Sequence, residues 1–561
     1  MNQQKEFLHL IIAKLKFPLI LLITVYTISI IGLVLIPTYD NNGNVYYLDF
    51  FEAFFIVIYT STTVGFGETP YAWTEYQKFW MAICTIMTVT SWLISIGRII
   101  TIMQDPLIKL ETKTYFFKRK IKNLKEPFYI VAGFGRTGQL LSKNLVEHGL
   151  NVVIIEENKM LIESVNYIDY KVNIPFMYGD ISDLSLLKIS GVLNPYCQGL
   201  ILTTSDEEAN LKAALNARIL NQNLNIISRA HHLEVKNNLI SFNTNLVVSP
   251  YSLFGKYIKN KLIKNKFINI KDVLTKEILI NENPLEKLPK TNWIICGFDK
   301  FGKILYRNIK NEVKNINILY ETENKLNILS NHNHINLEGV NQEDLIQANI
   351  VNSNVLVLTS KDDHKNLSTI YTAKKINPNI FIISILNNEE NYILFKKLNV
   401  NFIIQPNHLL VREIFPMISE PLLFKFLKQI EKTETEEKLS YIYDLLKNIK
   451  QNHVWSLHIN EEKSLVVTNH LDKDKKITIQ DLMVANYKKN SFPVPLMIYK
   501  GDDYIALPNY STVVDYDDII LFTGNIDDKN KMEWVINDEI FFERNIEYSN
   551  KLCLIDYLKI I

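Results

Sequence analysis

Two short stretches of this sequence set glycine, hydroxyl and acid at spacings that few chemistries need. Residues 60–68 read TSTTVGFGE. Turning successive backbone carbonyls toward one axis requires unusual φ/ψ at alternate residues, which Gly65 and Gly67 adopt cheaply. Together with Thr63, Val64 and Phe66, they could form stacked rings of carbonyl oxygen that replace a cation's hydration shell, with a ring of Thr63 hydroxyls at the inner end. The second stretch, residues 133–138, reads GFGRTG. It follows the apolar run FYIVA and opens an amphipathic segment, and Glu156 stands 18 residues after Gly138, at the end of a second apolar run. A lone GxGxxG is weak, but this context is the one a dinucleotide site requires. Gly135 lets a pyrophosphate approach the helix N-terminus, whose free N–H groups and dipole favour anions. Glu156 can accept from ribose hydroxyls.

Other polar clusters carry less. Asp502 and Asp503, then Asp515, Asp517 and Asp518, are acidic clusters in turns before strands, where acids are commonplace. His231, His232, His332 and His334 have no third metal ligand in register and read as solvated loop residues. No Ser-His-Asp or Cys-His set occurs, and no acid pair faces the glycine loop as a catalyst. Cys84, Cys197, Cys296 and Cys553 are far apart, which fits a reducing interior rather than a disulfide framework. The net charge of +1, from 61 basic and 60 acidic residues, gives no overall field for nucleic acid. Nor are the aromatics interleaved with basic residues as a nucleic-acid surface needs.

The elements that must position TVGFG are apolar. Residues 17–36 and 79–97 are uncharged runs of 20 and 19 residues, each long enough to cross a bilayer core of about 30 Å. Lysines precede the first run and eight basic residues from Arg98 to Lys125 follow the second, while Lys78 alone lies between them. The positive-inside bias places both ends of the chain in the cytoplasm. Residues 48–59 are apolar but too short to span, and read as a re-entrant half-helix. After the basic linker, short apolar strands alternate with amphipathic helices, the pattern of a parallel α/β sheet. That unit then repeats: WIICGFDKFG at 293–302 mirrors the glycine loop, with Asp299 in place of Gly135 and Ile385 in place of Arg229. The counterpart of Asp180 falls near Gly339. Like charge against pyrophosphate, with the arginine gone, predicts a second lobe that binds no nucleotide.

With those residues in place, TVGFG resembles the selectivity filter of potassium channels, Glu52 to Tyr59 their pore helix and the two spans their outer and inner helices. Phe66 departs from the commoner tyrosine and Glu68 from the commoner aspartate, and the inner helix lacks a mid-helix glycine, which leaves Gly97 or a stiff rod. The order GFGRTG, VVIIEEN, YGD, ILTTSDEEAN, ISRA, VVSP resembles an RCK domain, the cytoplasmic regulator of many potassium channels and Trk-type uptake systems, over residues 127–258. By that resemblance Gly133, Phe134, Gly135, Arg136, Thr137, Gly138, Glu156, Asp180 and Arg229 line a pocket for NAD(H) or an adenine nucleotide. Relatives also bind Ca2+ through carboxylates, which makes Asp502, Asp503, Asp515, Asp517 and Asp518 the candidates.

The expected organisation is a two-span pore domain at 1–105, a basic linker at 106–126, Rossmann-like RCK lobes at 127–270 and 290–430, crossover helices with a small α+β lobe at 431–525, and an extension at 526–561. The crossover at 408–450 should be broken at Pro416 and Pro421. The resemblance implies a ligand-gated potassium channel, not an enzyme, in the inner (plasma) membrane. Its implied assembly is a homotetramer holding K+ in the filter, with eight lobes in a gating ring. The competing classes are a membrane-anchored NAD-dependent oxidoreductase, which would need catalytic residues, and a transporter's regulatory subunit, which would need no filter.

Overall fold

The computed structural model describes residues 2–170, 172–275, 288–321, 334–337, 341–432, 436–447, 449, 453–483 and 493–551. It divides into two units, 1–123 and 124–561.

In the first unit, helices α1 (Asn2–Leu35) and α3 (Glu75–Gln104) are each long and apolar enough to cross a membrane. They pack where Gly32 leaves room: a Cβ there would lie 2.2 Å from the Trp80 ring. The Trp80 indole donates to the Ser29 carbonyl at 3.2 Å, and Ser95 Oγ donates to the Pro18 carbonyl at 3.2 Å. Between them lies the half-helix α2 (Phe50–Ser61), whose start is set by a reciprocal capping box of Asp49 and Glu52. Helix α3 runs unbroken through Gly97. Thr85, Thr88 and Thr90 each donate to the carbonyl one turn back, so the hydroxyls are satisfied within the helix. The chain breaks instead at Asp105, which pairs with Lys14, and Pro106 opens helix α4 (Pro106–Asn123). The basic linker is therefore helical over most of its length.

The second unit holds two six-stranded parallel sheets. In the first lobe, β1 (Phe128–Ala132) is followed by α5 (Arg136–Glu147), β2 (Asn151–Glu156), β3 (Phe176–Tyr178), β4 (Cys197–Leu202), α6 (Glu207–Leu220), β5 (Asn225–Arg229), α7 (Leu233–Ser241) and β6 (Leu246–Val248). The sheet order is β3-β2-β1-β4-β5-β6, the doubly wound arrangement that reverses between β1 and β4. The central strands are almost wholly buried, which is why they read as unbroken apolar runs.

Helices α8 (Pro250–Ile263) and α9 (Asn265–Leu274) lead to the second lobe. There β7 (Asn292–Cys296), α10 (Lys300–Ile309), β8 (Asn315–Glu321), β9 (His334–Leu337), β10 (Val355–Leu358), α11 (Asp363–Ile376), β11 (Phe381–Ile385), α12 (Tyr392–Lys397) and β12 (Phe402–Ile404) repeat the order as β9-β8-β7-β10-β11-β12. Then come α13 (Pro406–Ser419), α14 (Pro421–Glu431) and α15 (Glu436–Lys447).

The lobes exchange helices. Phe254 and Ile258 of α8 belong to the core of the second lobe, while Leu410, Val411, Ile414 and Phe415 of α13 belong to the core of the first. Gly255 makes the first contact possible, since a Cβ there would lie 2.7 Å from the Asn308 side chain. Pro416 does not break α13 as expected, because the helix continues to Ser419 and the turn falls at Glu420. The packed faces of α13 offset the backbone donor that proline lacks.

The last lobe is an antiparallel sheet, β13 (His453–His458), β14 (Val494–Lys500), β15 (Asp503–Ala506) and β16 (Ile519–Gly524), in the order β13-β16-β14-β15. Helices α16 (Ile526–Val535) and α17 (Glu539–Lys551) place Met532, Val535 and Phe542 in the same core as Trp455 and Phe522. The expectation of a separate extension after 525 therefore gives way to a lobe that these helices complete.

Candidate functional sites

The run TVGFG leaves the C-terminus of α2. Thr63, Gly65 and Gly67 have φ of 61°, 62° and 73°, and Val64 and Phe66 between them do not share that left-handed backbone. This alternation is what a row of same-sided carbonyls requires, and at Thr63, which has a side chain, it costs strain. The first three amides are engaged: Thr63 N–H donates to the Thr60 carbonyl at 3.1 Å, and Val64 and Gly65 N–H to that of Tyr59 at 3.0 and 3.1 Å. The negative end of the α2 dipole faces the same stretch. Phe66 carries no hydroxyl to brace the run, and Tyr59 supplies one instead, donating to the Glu68 carbonyl at 3.1 Å. The Phe66 ring stacks on Phe55 at 6.2 Å and meets Tyr59 edge-on at 6.1 Å. Tyr26 of α1 donates to Ser61 Oγ at 2.7 Å. Sequence reading singled out neither tyrosine, because each acts through the fold of α2 and not through the motif.

The glycine loop borders a cavity of about 500 Å³ at the carboxyl ends of β1 and β4, where the strand order reverses. Its three glycines do different things. Gly133 has φ of 91° and a Cβ there would sit 2.7 Å from the Thr204 amide, while Gly138 packs so tightly that a Cβ would meet the Gly133 carbonyl at 1.9 Å. Gly135 faces open space, and no side chain caps the α5 N-terminus behind it. Gly133, Gly135, Arg136, Thr137, Glu156, Asp180 and Arg229 line the cavity as expected. Phe134 and Gly138 do not. Phe134 is fully buried in the first lobe's core, and Gly138 joins helix to loop.

The polar groups are held in place. Glu156 accepts the Phe134 amide and, at 2.7 Å, the Asn158 amide, and Asp180 accepts Ser182 N–H and Oγ at 2.8 and 2.6 Å. The Arg136 guanidinium reaches the second lobe and donates to the Asn387 carbonyl. Arg229 Nε donates to His231 Nε2 at 3.2 Å. Burial, then the neighbouring Arg229 charge, brings the His231 pKa down to about 4, so its ring is neutral at pH 7. His231 is therefore a packed partner of the pocket and not the solvated loop residue expected. Thr203 to Asp206, within the stretch ILTTSDEEAN but not among the named site residues, also line the cavity, as does Asn407, which motif reading missed. Asn407 Oδ1 accepts the Thr137 hydroxyl at 2.9 Å from α13, beyond the reach of any local pattern.

Residues 129–250 and 293–406 each match the family model of the TrkA-N domain. Two stretches of the chain are thus similar to the TrkA-N domain. Among curated relatives, an uncharacterized protein of Methanothermus fervidus is 31% identical over 228 residues, 40% of this chain and 35% of its own length. "Probable potassium channel protein 2" and "Potassium channel protein 1" of Methanocaldococcus jannaschii are 26% and 27% identical, over 41% and 37% of this chain and 65% and 61% of theirs. The chain thus spans 35% to 65% of the length of these curated relatives. A solved structure described as the GsuK channel bound to NAD aligns over 95% of this chain and 99% of its own, at 14% identity and a TM-score of 0.48.

The second lobe differs at the equivalent positions. Asp299 caps α10, accepting the Phe301 and Gly302 amides at 3.0 and 3.3 Å, so the helix N-terminus already faces a carboxylate. Where Thr137 meets Asn407 in the first lobe, Phe301 meets Tyr251 here with ring centroids 4.4 Å apart. The counterpart of Asp180, near Gly339, lies outside the described residues, as do His332, the His334 side chain and Cys553.

Two of the candidate Ca2+ acids, Asp515 and Asp518, face an ammonium group. Lys500 Nζ sits 2.5 Å from Asp515 and 3.8 Å from Asp518, and buried Asp518 accepts the Asp515 amide at 2.8 Å. Among the described residues no group of three or more His, Cys, Asp or Glu is placed to hold a metal ion. An ammonium where a divalent cation would sit explains why the acids tolerate one another without one.

Proposed function

We propose that this chain is a potassium-selective channel opened or closed by a nucleotide in its first TrkA-N domain. The observation that carries the proposal is the left-handed alternation at Thr63, Gly65 and Gly67, between two helices long enough to span a bilayer. Four chains around one axis supply the rings of carbonyl and Thr63 hydroxyl that dehydrate K+. Both termini lie in the cytoplasm of the inner (plasma) membrane. The curated relatives named as potassium channels support this reading.

Gly133, Gly135, Thr137, Glu156, Asp180 and Arg229 hold NAD(H) or an adenine nucleotide, with the pyrophosphate at the uncapped N-terminus of α5. Eight TrkA-N domains per tetramer form a gating ring. Exposed Leu215 and Ile219 on α6, Leu233 and Ile240 on α7, and Tyr371, Ile393 and Leu394 on their counterparts α11 and α12 suit such self-association. A nucleotide bound more tightly in one ring arrangement shifts the gate by that difference in affinity, through the 106–126 connection. The protein is not an enzyme. Its test is potassium-selective flux from purified protein in liposomes, modulated by NAD(H) or ADP and lost in Gly65→Ala. No flux under any nucleotide condition rejects the reading.

A further inference from the structure

Helices α8 and α13, which the lobes exchange, and their neighbours α9 and α14 line a second, partly open cavity of about 40 Å³. Four cations, Lys256, Lys271, Arg412 and Lys428, and two carboxylates, Glu413 and Glu431, line it. Lys271 and Lys428 share Glu413 at 2.7 and 2.5 Å, and Lys256 pairs with Glu431 at 2.9 Å. Arg412 pairs with Asp272, just outside the lining, and its Nε donates to Thr275 at 3.0 Å. Four cations against three carboxylates leave one positive charge in surplus.

Arg412 also holds the unsatisfied donor. It is 2% exposed, its guanidinium lies 6.0 Å from the centroid of the Tyr257 ring, and its Nη1 has no acceptor among the described residues. A buried guanidinium nitrogen without a partner is costly, and a charge-assisted acceptor satisfies it better than a neutral one. The cavity exceeds the roughly 10–15 Å³ that one water needs and is far too small for a nucleotide.

We infer that this cavity binds a small monovalent anion of halide size, held by Arg412 Nη1 with Lys271 and Lys428 around it. The anion sits between the exchanged helices α8 and α13 and their neighbours α9 and α14, so it ties α8 to α13 independently of the nucleotide pocket. Chloride is the halide that solutions around the protein supply.

The probe is bromide on the full-length protein. Crystals grown in sodium bromide should show an anomalous peak within hydrogen-bonding distance of Arg412 Nη1. An ordered water there, with bromide absent or only on the outer surface, overturns the inference. In detergent at constant ionic strength, replacing gluconate by bromide should raise the unfolding temperature saturably. Arg412→Lys keeps the charge but loses the unpaired N–H groups, and should raise the half-saturating bromide at least tenfold. Should that variant fail to fold, Lys428→Met, altered at a partly exposed position, should show the same weakening. An equal bromide response in wild type and variant counts against the site.

Discussion

Gly135 is the residue on which the nucleotide proposal turns. Its neighbours Gly133 and Gly138 are fixed by contacts within the fold, whereas Gly135 faces open space beside an uncapped helix N-terminus. The second domain shows what replaces it: Asp299 caps its own helix without disturbing the strand–loop–helix turn. Gly135→Asp should therefore fold normally and lower nucleotide affinity by a hundredfold or more, a loss of about 3 kcal/mol. Calorimetric titration of the full-length protein measures it, and unaltered binding would remove the phosphate from this helix end. The local motif was legible because glycine spacing and a following acid are read within one strand–helix–strand unit. Asn407 and His231 were not, since each matters only through a partner brought to it by folding.

At the scale of elements, α9, α13 and α14 carry an ion cluster around buried Glu413 whose charge state is set by packing. Burial alone would raise the Glu413 pKa, but Lys271 and Lys428 outweigh it and hold the carboxyl at about 2, below its ordinary 4.5. A depressed carboxylate pKa stabilises the fold at pH above the unfolded value and stops doing so as pH falls from about 4.5 toward 2. The stake is about 3 kcal/mol. Unfolding followed across that range should show the loss in the wild type, and Glu413→Gln should flatten the profile and lower stability at pH 7. Strand runs and helix periods gave most of these elements away in advance. Pro416 misled because proline is a breaker only where packing does not compensate. The helices from Ile526 to Lys551 were illegible because their apolar residues answer to a sheet built from strands far earlier in the chain.

For the whole molecule, the nucleotide proposal assigns two lobes of one fold different roles. Asp299, Ile385 and the Phe301–Tyr251 contact oppose a ligand in the second domain by charge, by a missing cation and by occupied space. A saturated protein should bind one nucleotide per chain, and bound-ligand mass spectrometry against protein concentration gives the ratio. Two per chain would mean that Asp299 moves aside. Asp299→Gly alone should leave the ratio at one, because Ile385 and the aromatic pair remain.

Because α8 sits in the second lobe's core and α13 in the first's, covalent continuity between the lobes is dispensable once folding is complete. A protease site engineered between residues 275 and 288, cut after purification, should leave halves that co-elute. Either half expressed alone should misfold, since each would expose the socket built for a helix of the other.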